Sequence, residues 1–188
     1  MTKKSDLKLI VIDDYTAGLP DDHMLRIKMP YFNDEEIFNE GFFTYGGVFK
    51  SREDLVGFLM ENMIEHHGIG LSANQMGIPV RAFVMGRKGY NHSFACFNPR
   101  IISSSDALET SVESCLSLPN VQVMKERPES VRAKFTDVTG KMVITTFTGI
   151  YSRIYQHELD HVNGVLMTNG VKSEAIKFQK RETSNTYR

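Results

Sequence analysis

From Gly149 the chain turns helical, with apolar residues at Ile150, Ile154, Leu159 and Val162 and a terminating glycine at Gly164. Ile150, Ile154, His157 and His161 follow one another at spacings of four, three and four, so they share one stripe of that helix. A fold built around this sequence has to bury the stripe, and with it two imidazoles. Two neutral histidines taken out of water without partners would cost free energy, whereas a metal ion satisfies both. The rest of the chain must therefore wrap a helix that carries its own polar burden.

The wrapping material reads mainly as strand. Leu7–Ile12 predicts a strand or an edge segment, Val80–Met85 a short apolar strand, and Phe94–Phe97 a strand leading into Asn98-Pro99. Val131–Val138 and Met142–Thr148 are β-rich runs joined through Thr139-Gly140, a hairpin signal. A second helix opens at Ser51, which can cap the first turn, with Glu53 and Asp54 near the positive end of the helix dipole. Leu55, Phe58, Leu59, Met63 and Ile64 supply its apolar face. His66 and His67 are read as solvent-facing residues of the last turn, and Gly68 as its C′ residue. Residues 14–50 carry interspersed aromatics, among them Tyr31, Phe32, Phe42, Phe43, Tyr45 and Phe49, which predict packing onto a core rather than a linker. The polar tail 172–188 predicts a short frayed helix or disorder. Strands and helices mix without regular alternation, so the fold class expected is α+β, in one domain over residues 1–188.

Composition narrows the function classes. A formal net charge of −1 gives no general electrostatic case for nucleic acid or an anionic membrane. No stretch approaches the roughly 18 apolar residues of a membrane span, and the N-terminus lacks a signal-peptide core. Two cysteines, Cys96 and Cys115, cannot make a disulfide framework, and two thiols in a reducing compartment are the simpler reading. Cys96, among Phe94, Ala95 and Phe97, is expected to be a small buried hydrophobe.

The chemistry concentrates in His157-Glu158-Leu159-Asp160-His161. Histidines four apart lie one turn apart on one face, and both can reach one zinc or ferrous ion. Glu158 sits about 100° further round, where its carboxylate reaches a water on the ion rather than the ion itself, the position of a general base. Asp160 and Gln156 are candidates to orient the ligands by hydrogen bonds, with a plain surface role equally open. A third ligand decides between uses of the pattern. The extended metzincin pattern would need histidine where Met167 stands, which excludes that subclass. A thermolysin-like arrangement would need a later glutamate, and Glu182 lies in a polar tail with little to hold it. Cys115 is the better donor, since a thiolate beside two imidazoles suits iron or zinc.

Three segments together resemble one family. Gly68-Ile69-Gly70-Leu71-Ser72-Ala73-Asn74-Gln75, Glu113-Ser114-Cys115-Leu116-Ser117 and Gln156-His157-Glu158-Leu159-Asp160-His161 are similar, in order and spacing, to the three motifs of peptide deformylases. The similarity is strongest over residues 53–171. It implies a hydrolase that removes the formyl group from N-formylmethionine at the start of new polypeptides, with one divalent metal ion, natively Fe2+, with zinc, nickel or cobalt as substitutes. It further implies Cys115, His157 and His161 as metal ligands and Glu158 as general acid/base. Gln75 and the backbone N–H of Leu116 become oxyanion donors, while Ile69, Gly70 and Ser114 line the substrate path. The implied fold is α+β, with antiparallel sheets surrounding the central helix that bears both histidines. The implied setting is a cytoplasmic monomer, in a bacterium, a phage-infected cell or an organelle. Its partners are formylmethionyl nascent peptides at the ribosome exit, with no specific nucleic acid and no membrane.

The chain departs from the family pattern at two places: Ser72 stands for an alanine, and Ser114 for the glycine beside the metal cysteine. Ser114 brings a Cβ and hydroxyl close to the substrate path, which bears on selectivity and rate rather than on metal ligation. Two other readings compete, a metal-dependent peptidase or amidase on the same ligands and a non-catalytic peptide-binding relative. Binding alone has no use for a general base.

Overall fold

The computed structural model describes residues 3–13, 19–34, 48–86 and 93–178. Phe42, Phe43 and Tyr45, and Glu182 in the tail, lie outside the described residues. Helix α1 spans Arg52–Glu65 and α2 spans Gly149–Val162. The strands are β1 (Gly70–Ser72), β2 (Ala82–Met85), β3 (Phe94–Ser104), β4 (Leu108–Cys115), β5 (Leu118–Pro128), β6 (Ser130–Thr136), β7 (Met142–Thr148) and β8 (Ile176–Phe178). They form a five-stranded sheet in the order β1-β2-β3-β6-β7 and a three-stranded sheet in the order β4-β5-β8, with every pairing antiparallel. This is the α+β arrangement expected from the sequence.

Helix α2 packs against the five-stranded sheet. Ile154, Tyr155, Leu159 and Val162 are buried with Phe83, Met85, Val131, Phe135 and Phe147. The Tyr155 ring meets Phe83 edge-on at 5.3 Å and stacks on Phe147 at 5.2 Å, while its hydroxyl donates to the Arg100 carbonyl. Fully burying such side chains contributes roughly 1.5–3 kcal/mol each. Helix α1 covers the β1–β2 end, burying Leu55, Leu59 and Met63 against Leu71, Val84 and Phe97. Phe32 and Phe49 belong to that same cluster, so the described aromatics of the early segment do pack onto the core, apart from Tyr31 at 68% exposure. Cys96 is fully buried, and burial raises its thiol pKa well above the usual value, which leaves it a small hydrophobe.

Several local expectations need correction. Ser51 does cap α1, its hydroxyl accepting from the Asp54 N–H. At the other end the left-handed residue is His67, at φ 58°, and Gly68 follows with its N–H donating to Met63 O. A Cβ at Gly68 would come within 2.8 Å of Leu116 Cδ1, so a side chain there would push Leu116 aside. Leu7–Ile12 is extended but joins neither sheet. It is pinned instead by Ile10 N–H to Gln75 O at 2.7 Å and Ile12 N–H to Ser117 O at 2.9 Å. Strand β3 continues through Pro99 by shifting register, with Asn98 at φ 51° taking up the irregularity. Residues 176–178 of the polar tail add a strand to β5. Ile150, placed on the buried stripe by its spacing, is 43% exposed and faces a cleft beside the histidines.

Candidate metal centre and active site

Three donors converge where α2 meets the three-stranded sheet. The pairing of β4 with β5 shifts between Ser114 and Cys115, and this irregularity re-aims the last residue of the strand toward the helix. Donor atoms of Cys115, His157 and His161 all lie within 4.8 Å of one another, and the Cys115 sulfur is 3.2 Å from His161 Nε2. The two imidazoles are 4.9 Å apart, inclined at 75°. His157 Nδ1 lies 3.2 Å from Glu113 Oε2, which leaves its Nε2 as the ligand atom. A thiol and two imidazole nitrogens this close, all largely withdrawn from water, fit a single zinc- or iron-type ion.

The charges around the donors form one buried network. The Glu113 carboxylate, 5% exposed, accepts from Arg127 through both oxygens and from Arg153 at 2.8 Å. Burial opposes its charge, but the Arg127 bonds outweigh it and hold the carboxyl well below the usual range. Burial likewise disfavours a charged His157, yet hydrogen bonding with Cys115 and Glu113 prevails and raises its pKa to about 10. His161 moves the other way, lowered by burial and by the neighbouring His157 charge. Glu158 is 3% exposed and pushed up to about 7 by burial. Its Oε2 has no hydrogen-bond partner among the described residues. A carboxyl with a pKa near neutrality, held next to a metal site, is suited to take up and release a proton.

The oxyanion candidates sit on the opposite wall. Gln75 rides on a short 3-10 turn, Ala73–Met76, directly after β1. Its Oε1 accepts from the Ser72 N–H at 2.9 Å and the Ser72 hydroxyl at 3.0 Å. Its Nε2 donates to Ser117 Oγ at 3.1 Å and lies 3.6 Å from the Cys115 sulfur. A cleft of about 910 Å3 opens over the centre, and its lining includes Ile69, Gly70, Ser114, Leu116, Ile150 and His157. Eight of the nine site residues expected from the sequence line this cleft; the ninth, His161, stands behind Cys115. Gly70 passes so close to Glu158 that a Cβ would overlap Oε1 and come within 2.8 Å of Cδ.

Asp160 and Gln156, the two candidates for orienting the ligands, do other work. Asp160 pairs with Arg127 at 2.9 Å and Lys125 at 3.5 Å, and so reaches His157 only through Arg127 and Glu113. Gln156 anchors α2 to the sheet, donating to Pro128 O and to Ser152. The residue that orients His157 is Glu113, steadied by Arg127 and Arg153. The sequence offered one signal for it, a glutamate two positions before Cys115 on a strand, and so on the same face.

A Cys-His-His donor set with a buried carboxylate and amide donors in an open cleft defines a metal-dependent hydrolase. Residues 46–177 match the model of the polypeptide deformylase family, and the chain belongs to that family of enzymes, which remove the N-formyl group from newly made polypeptides. Among similar proteins, a peptide deformylase of Thermotoga neapolitana is 39% identical over 124 residues, 65% of this chain and 74% of that protein. One from Afipia carboxidovorans is 34% identical over 152 residues, 79% of this chain and 81% of its own length. The actinonin-bound class I type b peptide deformylase of Acinetobacter baumannii superposes with a TM-score of 0.70 at 26% identity, covering 88% of this chain and 98% of that one. The Thermotoga maritima peptide deformylase gives 0.70 at 28% identity, covering 88% and 97%. A further Acinetobacter baumannii structure, solved with Met-Ala-Ser bound, gives 0.67 at 26% identity, covering 85% and 94%.

Proposed function

We propose that Cys115, His157 and His161 hold one divalent ion, Fe2+ in the cell, and that Glu158, Gln75 and Leu116 carry out the chemistry on formylmethionyl peptides. The observation that carries this reading is the Glu158 carboxylate, buried, raised to about 7 and with no partner for its Oε2 among the described residues, beside three converging metal donors. The ion, when bound, supplies a Lewis acid that lowers the pKa of water and offsets negative charge on the formyl oxygen.

The side chains do the rest. The peptide lies extended along Gly70 and Ser114, whose backbone groups can pair with it. The methionine side chain enters the apolar part of the cleft, against Ile69 and between Ile150 and Ile154. As water adds to the formyl carbon, Glu158 accepts its proton. Negative charge develops on the formyl oxygen and is met by the Leu116 N–H and by Gln75 Nε2. One hydrogen of that amide is held by Ser117, and the other, which faces the Cys115 sulfur at 3.6 Å, is the one that turns to the oxyanion. Glu158 then delivers its proton to the amine nitrogen as the C–N bond breaks, and the remaining hydroxyl proton follows to the amine, so that formate leaves with a methionyl ammonium. Each positioned oxyanion donor is worth about 2.7–4 kcal/mol of transition-state stabilisation.

In this reading residues 1–188 are one catalytic domain working as a monomer. It meets nascent chains at the ribosome exit in the cytoplasm of a bacterium or phage-infected cell. None of the described helices is long and apolar enough to cross a membrane. The test is anaerobic formate release from formyl-Met-Ala-Ser with metal analysis on the same sample. Cleavage of internal amides without formate release would instead support a peptidase.

A further inference from the structure

Ser72 is fully buried, and its side chain has a defined use. The Gln75 amide is bonded at both ends. Ser117 and Cys115 face its nitrogen, while the backbone N–H and the hydroxyl of Ser72 both approach its oxygen, at 2.9 and 3.0 Å. A backbone N–H can only donate, so the oxygen must lie on the Ser72 side and the NH2 on the Cys115 side. Any residue at position 72 would provide that N–H, but alanine, the residue of the family pattern, would leave one lone pair of the buried Oε1 unfilled. The hydroxyl fills it.

We propose that Ser72 is a positioning residue for the deformylation reaction, acting through Gln75. Its hydroxyl completes the acceptor capacity of Oε1, which restrains the amide from swinging out of the site. It also polarises the amide, since drawing electron density onto the oxygen makes the N–H at the other end a stronger donor. The effect belongs to the transition state, where the oxyanion is most negative, and little of it is felt by the bound ground-state substrate. The device is braced further: the 3-10 turn bearing Gln75 is fixed by Ile10 N–H on Gln75 O, and the opposing turn by Ile12 N–H on Ser117 O. The inference rests on the assignment of Gln75 as an oxyanion donor, and the experiment separates the two.

Kinetics on formyl-Met-Ala-Ser would be measured for the wild type, S72A, Q75A and S72A/Q75A, with metal content and thermal midpoint recorded for each. The expected result for S72A is a kcat lowered about three- to tenfold, the range of one neutral hydrogen bond. KM should stay within about twofold, with full metal content. In the Q75A background the same substitution should change kcat less than about twofold. The Gln75 side-chain amide resonances, assigned by their disappearance in Q75A, should move upfield in S72A as the polarisation is lost. An equal kcat loss in both backgrounds would make Ser72 a packing residue and overturn the inference, as would unmoved resonances. Wild-type kcat in S72A alongside an impaired Q75A would refute the role of Ser72 alone. Wild-type kcat in Q75A would remove the oxyanion reading itself.

Discussion

Replacing Glu113 by glutamine keeps its shape and removes its charge, and the structure sets the size of the effect. The carboxylate holds Arg127 through both oxygens, Arg153 through Oε1 and His157 through Oε2, at 5% exposure. An amide puts two hydrogens where only acceptors are wanted, so at least one of these donors is left facing another donor. Removing one partner of a buried ion pair costs about 3–5 kcal/mol. The lower end applies here, because Arg127 keeps Asp160 at 2.9 Å and Arg153 keeps the carbonyls of Lys125 and Glu109. For a chain of this size that corresponds to a fall in Tm of about 6–12 °C. His157 loses the carboxylate that fixes its tautomer, so metal affinity should fall roughly 10- to 100-fold. Thermal unfolding at saturating metal reads the first effect, and competition with a chelator of known affinity reads the second. A Tm within about 2 °C of wild type, together with unchanged metal affinity, would refute the role given to Glu113.

Glu158→Ala should retain the metal and lose at least about 10²-fold in turnover; near-normal turnover in a metal-replete sample would remove the proton-transfer role. Gly70→Ala places a Cβ against the Glu158 carboxyl and should lower turnover at least about tenfold while the protein still folds, with circular dichroism as the check. Stripping the metal with a chelator should lower Tm, because only the folded chain assembles the three donors, and re-adding Fe2+ or Zn2+ should restore it. X-ray absorption on the reloaded protein should find one sulfur scatterer near about 2.3 Å, and its absence would exclude Cys115 as ligand. Ser114→Gly should change relative kcat/KM among formyl-Met, formyl-norleucine and formyl-Leu peptides by about tenfold. Parallel movement of all three would place Ser114 away from the substrate.

The helices and the β6–β7 hairpin were legible because their signals are local: caps, a 3.6-residue period and a Thr-Gly turn. The β4–β5 hairpin was far less so. Val112 and Met124 lie opposite each other and are both exposed, so the alternation that marks a half-buried strand is blurred. Ile150 misled because helical spacing says which residues share a face but not how far the covering sheet extends. Within the site, the histidines announce themselves by spacing, and Cys115 stood out as the better third donor by its chemistry, with its motif adding to that choice. The Glu113 network was hidden because its pairs span 14 residues to Arg127 and 40 to Arg153, distances over which no periodicity operates.

The convergence of strand β4 and helix α2 also sets a condition on metal binding. Cys115 and His161 are 46 residues apart and come from elements that do not touch until the two sheets close on the helix. The hairpin and the helix can form from neighbouring residues, whereas the complete ion site needs this long-range closure. While the chain is still being synthesised, no complete ligand set exists before residue 161 has been added. An enzyme that trims newborn chains is therefore itself inert until residue 161 has been added and these elements have closed.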